Sequence, residues 1–269
     1  MTAPVNSPQS QRILIIGASR GIGFEVARDL VASPRQLWLA ARTEKVHTAA
    51  QQIGSEVRSS QVDIADPQSV GSLFSEVQRV WGGIDAVIHA AAELGQAGAF
   101  WELGPEEFAA TLRVNTAAPF FVARAFLQSW LATAATAGRN PCRGKMVFFA
   151  GGGAGYGYPK FLPYGTSKAA AVRMCETMAM EIDAAEIPVD VNIIAPGANE
   201  TEMLAAVRAA GGEVRTTVPF SSPVALCRWL LSPASDGISG RFIHVNDPYA
   251  CLSAKAIPRE ALKLRRIDL

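Results

Sequence analysis

Arg12-Ile-Leu-Ile-Ile16 is a short apolar run that passes without a linker into Gly17-Ala-Ser-Arg-Gly21-Ile-Gly23, and then into a helical pattern at Phe24, Val26, Ala27, Leu30 and Val31. A continuous apolar run of this length fits a strand covered on both faces. The glycines open backbone conformations closed to other residues and let the chain approach a ligand closely. The first N–H groups of the helix that follows have no partners of their own and point at whatever lies before it. Strand, glycine turn and helix start together make an anion site, the usual seat of a dinucleotide pyrophosphate. The spacing here is G-x-x-x-G-x-G rather than G-x-G-x-x-G.

A second strand, Gln36–Ala41, ends in Arg42. An acidic residue closing that strand would bind the ribose 2′-hydroxyl of NAD, whereas an arginine suits the 2′-phosphate of NADP. No acid is present; Arg20 and Arg42 are placed to clamp a phosphate and Ser19 to donate to it, so NADP(H) is favoured over NAD(H). The pattern then alternates: helix 43–53, strand 56–62 closed by Asp63, and helix 67–81 behind an Asp66 cap with Pro67 at its first position. Strand 84–89 follows, ending in the small residues Ala90–Ala92, which leave room for a ligand. Helix 105–136 carries Asn115, whose amide needs a partner in so apolar a helix. Strand 145–149, helix 164–185, strand 188–194, helix 223–231 and strand 240–245 complete the series. Residues 202–221 read as a flap over a pocket. Such alternation predicts an α/β fold, a single-domain Rossmann-type doubly wound parallel sheet of about seven strands. The domain would span 11–247, with a flexible arm at 1–10 and a tail extension at 248–269.

Composition excludes several classes. Of 269 residues 49% are hydrophobic and the net charge is +1, which leaves no electrostatic footprint for nucleic acid or an acidic membrane. The most membrane-like stretch, 114–135, is broken by Pro119 and Arg124. Cys142, Cys175, Cys227 and Cys251 form no C-x-x-C pair and read as reduced thiols of a cytoplasmic protein. His47, His89 and His244 lack metal-ligand spacing, so no metal is expected. His89 reads as a strand-end histidine satisfied by backbone rather than a catalytic base.

The chemistry is expected in residues 150–168. Tyr164 and Lys168 are four apart, hence neighbours on one helix face. A phenol is a poor acid near neutrality, and an adjacent ammonium is expected to lower its pKa toward useful proton transfer.

Taken in order, Gly17-x-x-x-Gly21-x-Gly23, Asp63, Asn115, Tyr164-x-x-x-Lys168 and Pro196-Gly197 with Thr201 resemble the short-chain dehydrogenase/reductase family over roughly residues 11–247. The resemblance implies that Gly17, Ser19, Arg20 and Ile22, with Gly21 and Gly23 of the same turn, line the pyrophosphate and adenosine ribose, and that Arg42 meets the 2′-phosphate. It places Asp63 and Ile64 about the adenine and Ala90 against the cofactor. Ile194, Pro196, Gly197 and Thr201 would lie at the nicotinamide end. It assigns Tyr164 as general acid/base, Lys168 as its tuner and ribose ligand, and Asn115 as holder of a water joining Lys168 to solvent. A small-molecule substrate and a homodimer or homotetramer built through the two long helices are likewise implied.

The chain departs from that family where a serine normally stands thirteen residues before the tyrosine. Here the position is Gly151, flanked by Ala150 and Gly152. Restoring a serine at 151 is expected to raise ketone reduction. Gly151, Tyr156, Tyr158, Phe161 and Met203 are the candidate substrate pocket, with Phe100 and Trp101 nearby. Three readings stay open: an NADP-dependent oxidoreductase on a carbonyl or secondary alcohol, an isomerase or dehydratase reusing the tyrosine, and a non-enzymatic NADP-binding protein.

Overall fold

The computed structural model describes residues 10–32, 34–136, 142–214 and 217–265. The expected arm, apart from Ser10, and the last four residues of the expected tail lie outside the described residues. β1 (Gln11–Ile16), β2 (Arg35–Ala41), β3 (Arg58–Gln61), β4 (Ala86–His89), β5 (Gly144–Phe149), β6 (Val189–Ala195) and β7 (Arg241–His244) form one sheet in the order β3-β2-β1-β4-β5-β6-β7. Every adjacent pair is parallel. The order reverses between β1 and β4, the place where an open α/β sheet leaves a crevice outside its strand ends. Register brings those ends level: Ile16 pairs with Ala40 on one side and His89 on the other, and His89 pairs with Phe148.

The helices are α1 (Gly21–Leu30), α2 (Lys45–Ile53), α3 (Pro67–Trp81), α4 (Pro105–Leu112), α5 (Ala118–Thr136), α6 (Leu162–Ala184), α7 (Glu202–Ala209) and α8 (Ser221–Leu230); α1, α2 and α8 cover one face of the sheet and α3, α5 and α6 the other. The period-two alternation of β1 sorts its side chains between two cores. Leu14 and Ile16 join Val122, Phe126 and Val172 of α5 and α6. Ile13 and Ile15 join Val26 and Leu30 of α1 and Leu226 and Leu230 of α8. Each such side chain contributes about 1.5–3 kcal/mol of burial. β3 is polar because it is an edge strand. α3 starts as its sequence requires, with the Asp66 carboxylate accepting from Gln68 N at 3.0 Å and Ser69 N at 3.1 Å.

Between α4 and α5 the helix does not run straight through: Arg113–Ala117 forms a π turn, with Asn115 in it. At the other edge the tail runs along its own chain. Phe242 N donates to Leu262 O at 2.7 Å. The buried Arg241 side chain donates to the carbonyls of Pro258, Arg259 and Ala261. Among the described residues no helix is long and apolar enough to cross a membrane.

Candidate active site

A cleft of about 1240 Å³ opens at the carboxyl ends of the strands and collects most of the residues singled out above. Its floor is the glycine turn. Gly17 has φ 85°, and a Cβ there would come within 2.7 Å of Ala91 Cα and 2.8 Å of Ala90 C. The turn therefore packs backbone-to-backbone against the exit of β4. A Cβ on Gly23 would strike the Gly17 peptide in the same way. Gly21 has φ 60°. No side chain caps the N-terminus of α1, and its first turn carries no acidic residue. These free N–H groups and the bare backbone before them fit an anionic phosphate. Ser19, Arg20 and Ile22 line the same floor.

Arg42, Thr43, Lys45, Asp63 and Ile64 line one end of the cleft. Arg42 is exposed and makes no ion pair among the described residues. Arg20, by contrast, pairs through Nη1 with Glu202 Oε2 of α7 at 2.6 Å, both side chains largely exposed. The pair spans the cleft between the glycine turn and the expected flap. Lys160, at φ 69°, adds a second tie, its Nζ donating to the carbonyls of Ala210 and Gly211 at 3.4 Å.

Tyr164 and Lys168 share the cleft-facing side of α6, with Lys168 Nζ 5.6 Å from the Tyr164 ring centre. Nζ donates to Phe149 O at 2.9 Å, at the end of β5. Burial pushes the Tyr164 phenol above its ordinary value, with Tyr158 adding to the shift. Burial also lowers Lys168 to about 8. The expected lowering of the phenol by Lys168 is thus reversed in this arrangement: desolvation of both groups dominates, and the ammonium is directed at a carbonyl.

Asn115 lies behind the cleft wall, fully buried. Its Oδ1 accepts from Glu93 N at 3.0 Å, and its Nδ2 donates to Glu93 O at 2.8 Å and Ser167 Oγ at 3.1 Å. Ser167 Oγ in turn donates to Tyr164 O at 2.7 Å. The amide ties the segment after β4 to the first turn of α6. A π turn is a frequent mark of a functional position in a helix.

The sequence pattern of the family described as short chain dehydrogenase matches residues 11–211. The chain belongs to that family. It is 29% identical over 195 residues to trihydroxynaphthalene reductase of Colletotrichum orbiculare, a match covering 71% of this chain and 65% of that protein, just under two thirds of its length. It is 31% identical over 201 residues to versicolorin reductase 1 of Aspergillus parasiticus, covering 72% of this chain and 71% of that one. Among solved structures, a variant of actinorhodin polyketide ketoreductase with NADPH shares the fold with a TM-score of 0.79 at 22% identity, over 90% of this chain and 98% of that one.

In this member of the family the position expected to carry a serine is part of the tyrosine's packing. A Cβ on Gly151 would fall within 2.9 Å of Tyr164 Cε1 and Cζ, and closer still to the hydroxyl. Tyr156, Tyr158 and Met203 line the cleft as expected. Phe161 does not: it is fully buried, its ring 4.8 Å from that of Tyr158, and it backs the wall rather than facing a ligand. Phe100 and Trp101 also lie outside the cleft, exposed on a 3₁₀ turn over Phe100–Glu102. Ile194 sits in the core behind the sheet, its carbonyl accepting from Ala150 N, so its side chain cannot reach the cleft.

Pro196, Gly197 and Thr201 line the cleft, and Thr201 Oγ1 accepts from Leu204 N to start α7. With them stands Asn199, which sequence reasoning passed over. It is buried, its Nδ2 donates to Val218 O, and its Oδ1 has no partner. The only signal available was an amide inside an apolar turn. His89 is buried with Nε2 unpartnered, although its backbone supports the ring. Burial, then the Lys168 charge, holds its pKa at about 3, so it is neutral and no base. Among the described residues no cluster of three or more His, Cys, Asp or Glu side chains could hold a metal.

Proposed function

We propose that the protein is an NADP-dependent reductase of a carbonyl on a small metabolite, with Tyr164 as the proton donor. The observation that carries this reading is the placement of the Tyr164 hydroxyl and Lys168 in the same cleft as the glycine cradle and the open start of α1. NADPH, when bound, supplies the hydride, and the protein supplies alignment and a proton. The glycine turn and α1 hold the pyrophosphate. Arg42, Lys45 and, once released from Glu202, Arg20 answer the 2′-phosphate. Lys168 holds positive charge beside the phenol and stabilises its conjugate base after the proton leaves. Asn115 fixes the segment after β4 against the helix that carries Tyr164, which limits the drift of the donor.

The similar proteins are named for reduction of a hydroxylated naphthalene and for polyketide ketoreduction. Tyr156, Tyr158 and Met203 would receive a flat ring, which makes a fused-ring ketone the first substrate to try. The test mixes NADPH with 1-tetralone and a set of sugar ketones, follows the nicotinamide absorbance, and repeats with Tyr164→Phe. Full-rate oxidation in the variant would remove Tyr164 from its role.

Gly151 favours a second reading, a non-redox enzyme of the same fold that uses the tyrosine as acid and base. Tight NADPH binding without turnover of any ketone would move the assignment there. The α5–α6 face, with Phe120 exposed beside Leu127 and Met178, supports a homodimer or homotetramer, which light scattering would detect. The four free cysteines are in keeping with a cytoplasmic setting.

A further inference from the structure

Resting on the reductase reading, we infer that the hydroxyl of Tyr158 is the second donor to the substrate carbonyl oxygen, in place of the hydroxyl that Gly151 lacks. Two phenols flank one glycine pair. The Tyr164 hydroxyl lies where a side chain on Gly151 would be, and the Tyr158 ring lies against Gly152, its Cε1 and Cζ at 3.1 and 3.4 Å from a Cβ built there. A side chain on Gly151 would displace the Tyr164 phenol, and one on Gly152 would press against the Tyr158 ring. Tyr158 is held from behind by Phe161, ring to ring at 4.8 Å, and its backbone carbonyl accepts from Phe161 N at 3.1 Å. The segment just before α6 thus fixes the ring, while the hydroxyl has no hydrogen-bond partner among the described residues.

The neighbouring phenol is less suited. Tyr156 is 55% exposed, whereas Tyr158 is half-buried, and burial holds its phenol protonated by raising its pKa. Tyr158 and Tyr164 line the same cleft. A neutral phenol donates one hydrogen bond to an oxygen that gains negative charge as the carbonyl is reduced. Tyr164 transfers its proton to that oxygen; Tyr158 keeps its own and only donates the bond.

Tyr158→Phe retains the ring packing and removes the oxygen alone. With NADPH and 1-tetralone its kcat/KM is expected to fall about ten- to a hundred-fold. Its NADPH affinity and thermal midpoint should match the wild type. Without cofactor, titration of 1-tetralone against intrinsic fluorescence should show a Kd raised about three- to ten-fold in Tyr158→Phe, the loss of one hydrogen bond. Unchanged rate and unchanged Kd in Tyr158→Phe, with Tyr164→Phe inactive, overturn the donor role and leave the reductase reading standing. A wild-type protein that binds NADPH and reduces none of the ketones overturns both.

Discussion

The hydroxyl of Tyr164 lies in the volume that a side chain on Gly151 would occupy. Glycine here does not simply leave a hydroxyl out; it lets the phenol settle against the end of β5. Gly151 has no positive φ, so a larger residue meets no backbone strain, only the ring. The sequence-based expectation that Gly151→Ser raises ketone reduction is therefore replaced by its opposite. The variant folds, loses about 1–3 kcal/mol to overpacking, and loses about 10–100-fold in kcat because the donor is displaced. Stopped-flow rates beside thermal unfolding decide it, and a faster variant would contradict the packing argument.

Cofactor choice should follow the charges at the adenosine end of the cleft. Arg42→Ala removes an exposed guanidinium with no ion-pair partner among the described residues, and should weaken NADPH binding about ten-fold or more while sparing NADH. Glu202→Gln works in the other direction. It frees Arg20 from its 2.6 Å ion pair, so NADPH should bind tighter by about two- to five-fold, less so in high salt. Fluorescence titrations of both cofactors at two ionic strengths would measure this. Equal effects on NADH and NADPH would remove the 2′-phosphate argument.

What the sequence made legible was whatever rests on period and local chemistry. Alternation of buried runs with helical patterns gave the seven strands and their direction, and Asp66-Pro67 marked the start of α3. The glycine turn could be read because close backbone approach demands residues without Cβ atoms. Contacts between distant segments could not. Nothing local to Phe161 shows that it faces inward while Tyr158 faces the cleft, nor that Ile194 lies on the core side of β6. The π turn carries Asn115, whose amide bonds to Glu93 and Ser167, 22 and 52 residues away in the chain. The Gly151–Tyr164 contact was hidden for the same reason, because a missing hydroxyl reads as a loss until the ring filling its place is seen.

The tail should be a stabilising part of the domain. Glu176 is a buried carboxylate on α6 that accepts from Leu264 N at 2.6 Å and from Arg265 Nη1 at 3.0 Å, with Arg173 as its other partner. Ending the chain before Ala256 removes the tail partners, orphans the Arg241 guanidinium, and bares the edge of β7 to pairing with other chains. The truncated protein should unfold at lower denaturant than the full chain and should aggregate on warming. Denaturant unfolding and light scattering test this. Wild-type stability in the truncated chain would mean that the tail only rests on the surface.

Lys168 gives the pH dependence its sign. In the folded chain burial lowers its pKa to about 8 from an ordinary 10.5. Below pH 8 both folded and unfolded chains carry the proton, and the buried ammonium is a constant cost. As pH rises from about 8 toward 10.5 the folded chain gives up its proton first, so the unfolded chain binds more protons and relative stability rises. The wild type should therefore gain on Lys168→Met by about 1.4 kcal/mol per pH unit at most across that window, and by nothing below it. Activity runs the other way, because kcat/KM should decline above about pH 8 as the charge beside Tyr164 is lost. Urea unfolding of both proteins between pH 6 and pH 10, paired with the rate profile of the wild type, measures the two trends together. Wild-type stability that fell relative to the variant through this window would show that Lys168 is stabilised as an ion in the fold, and the burial argument for its role would fail.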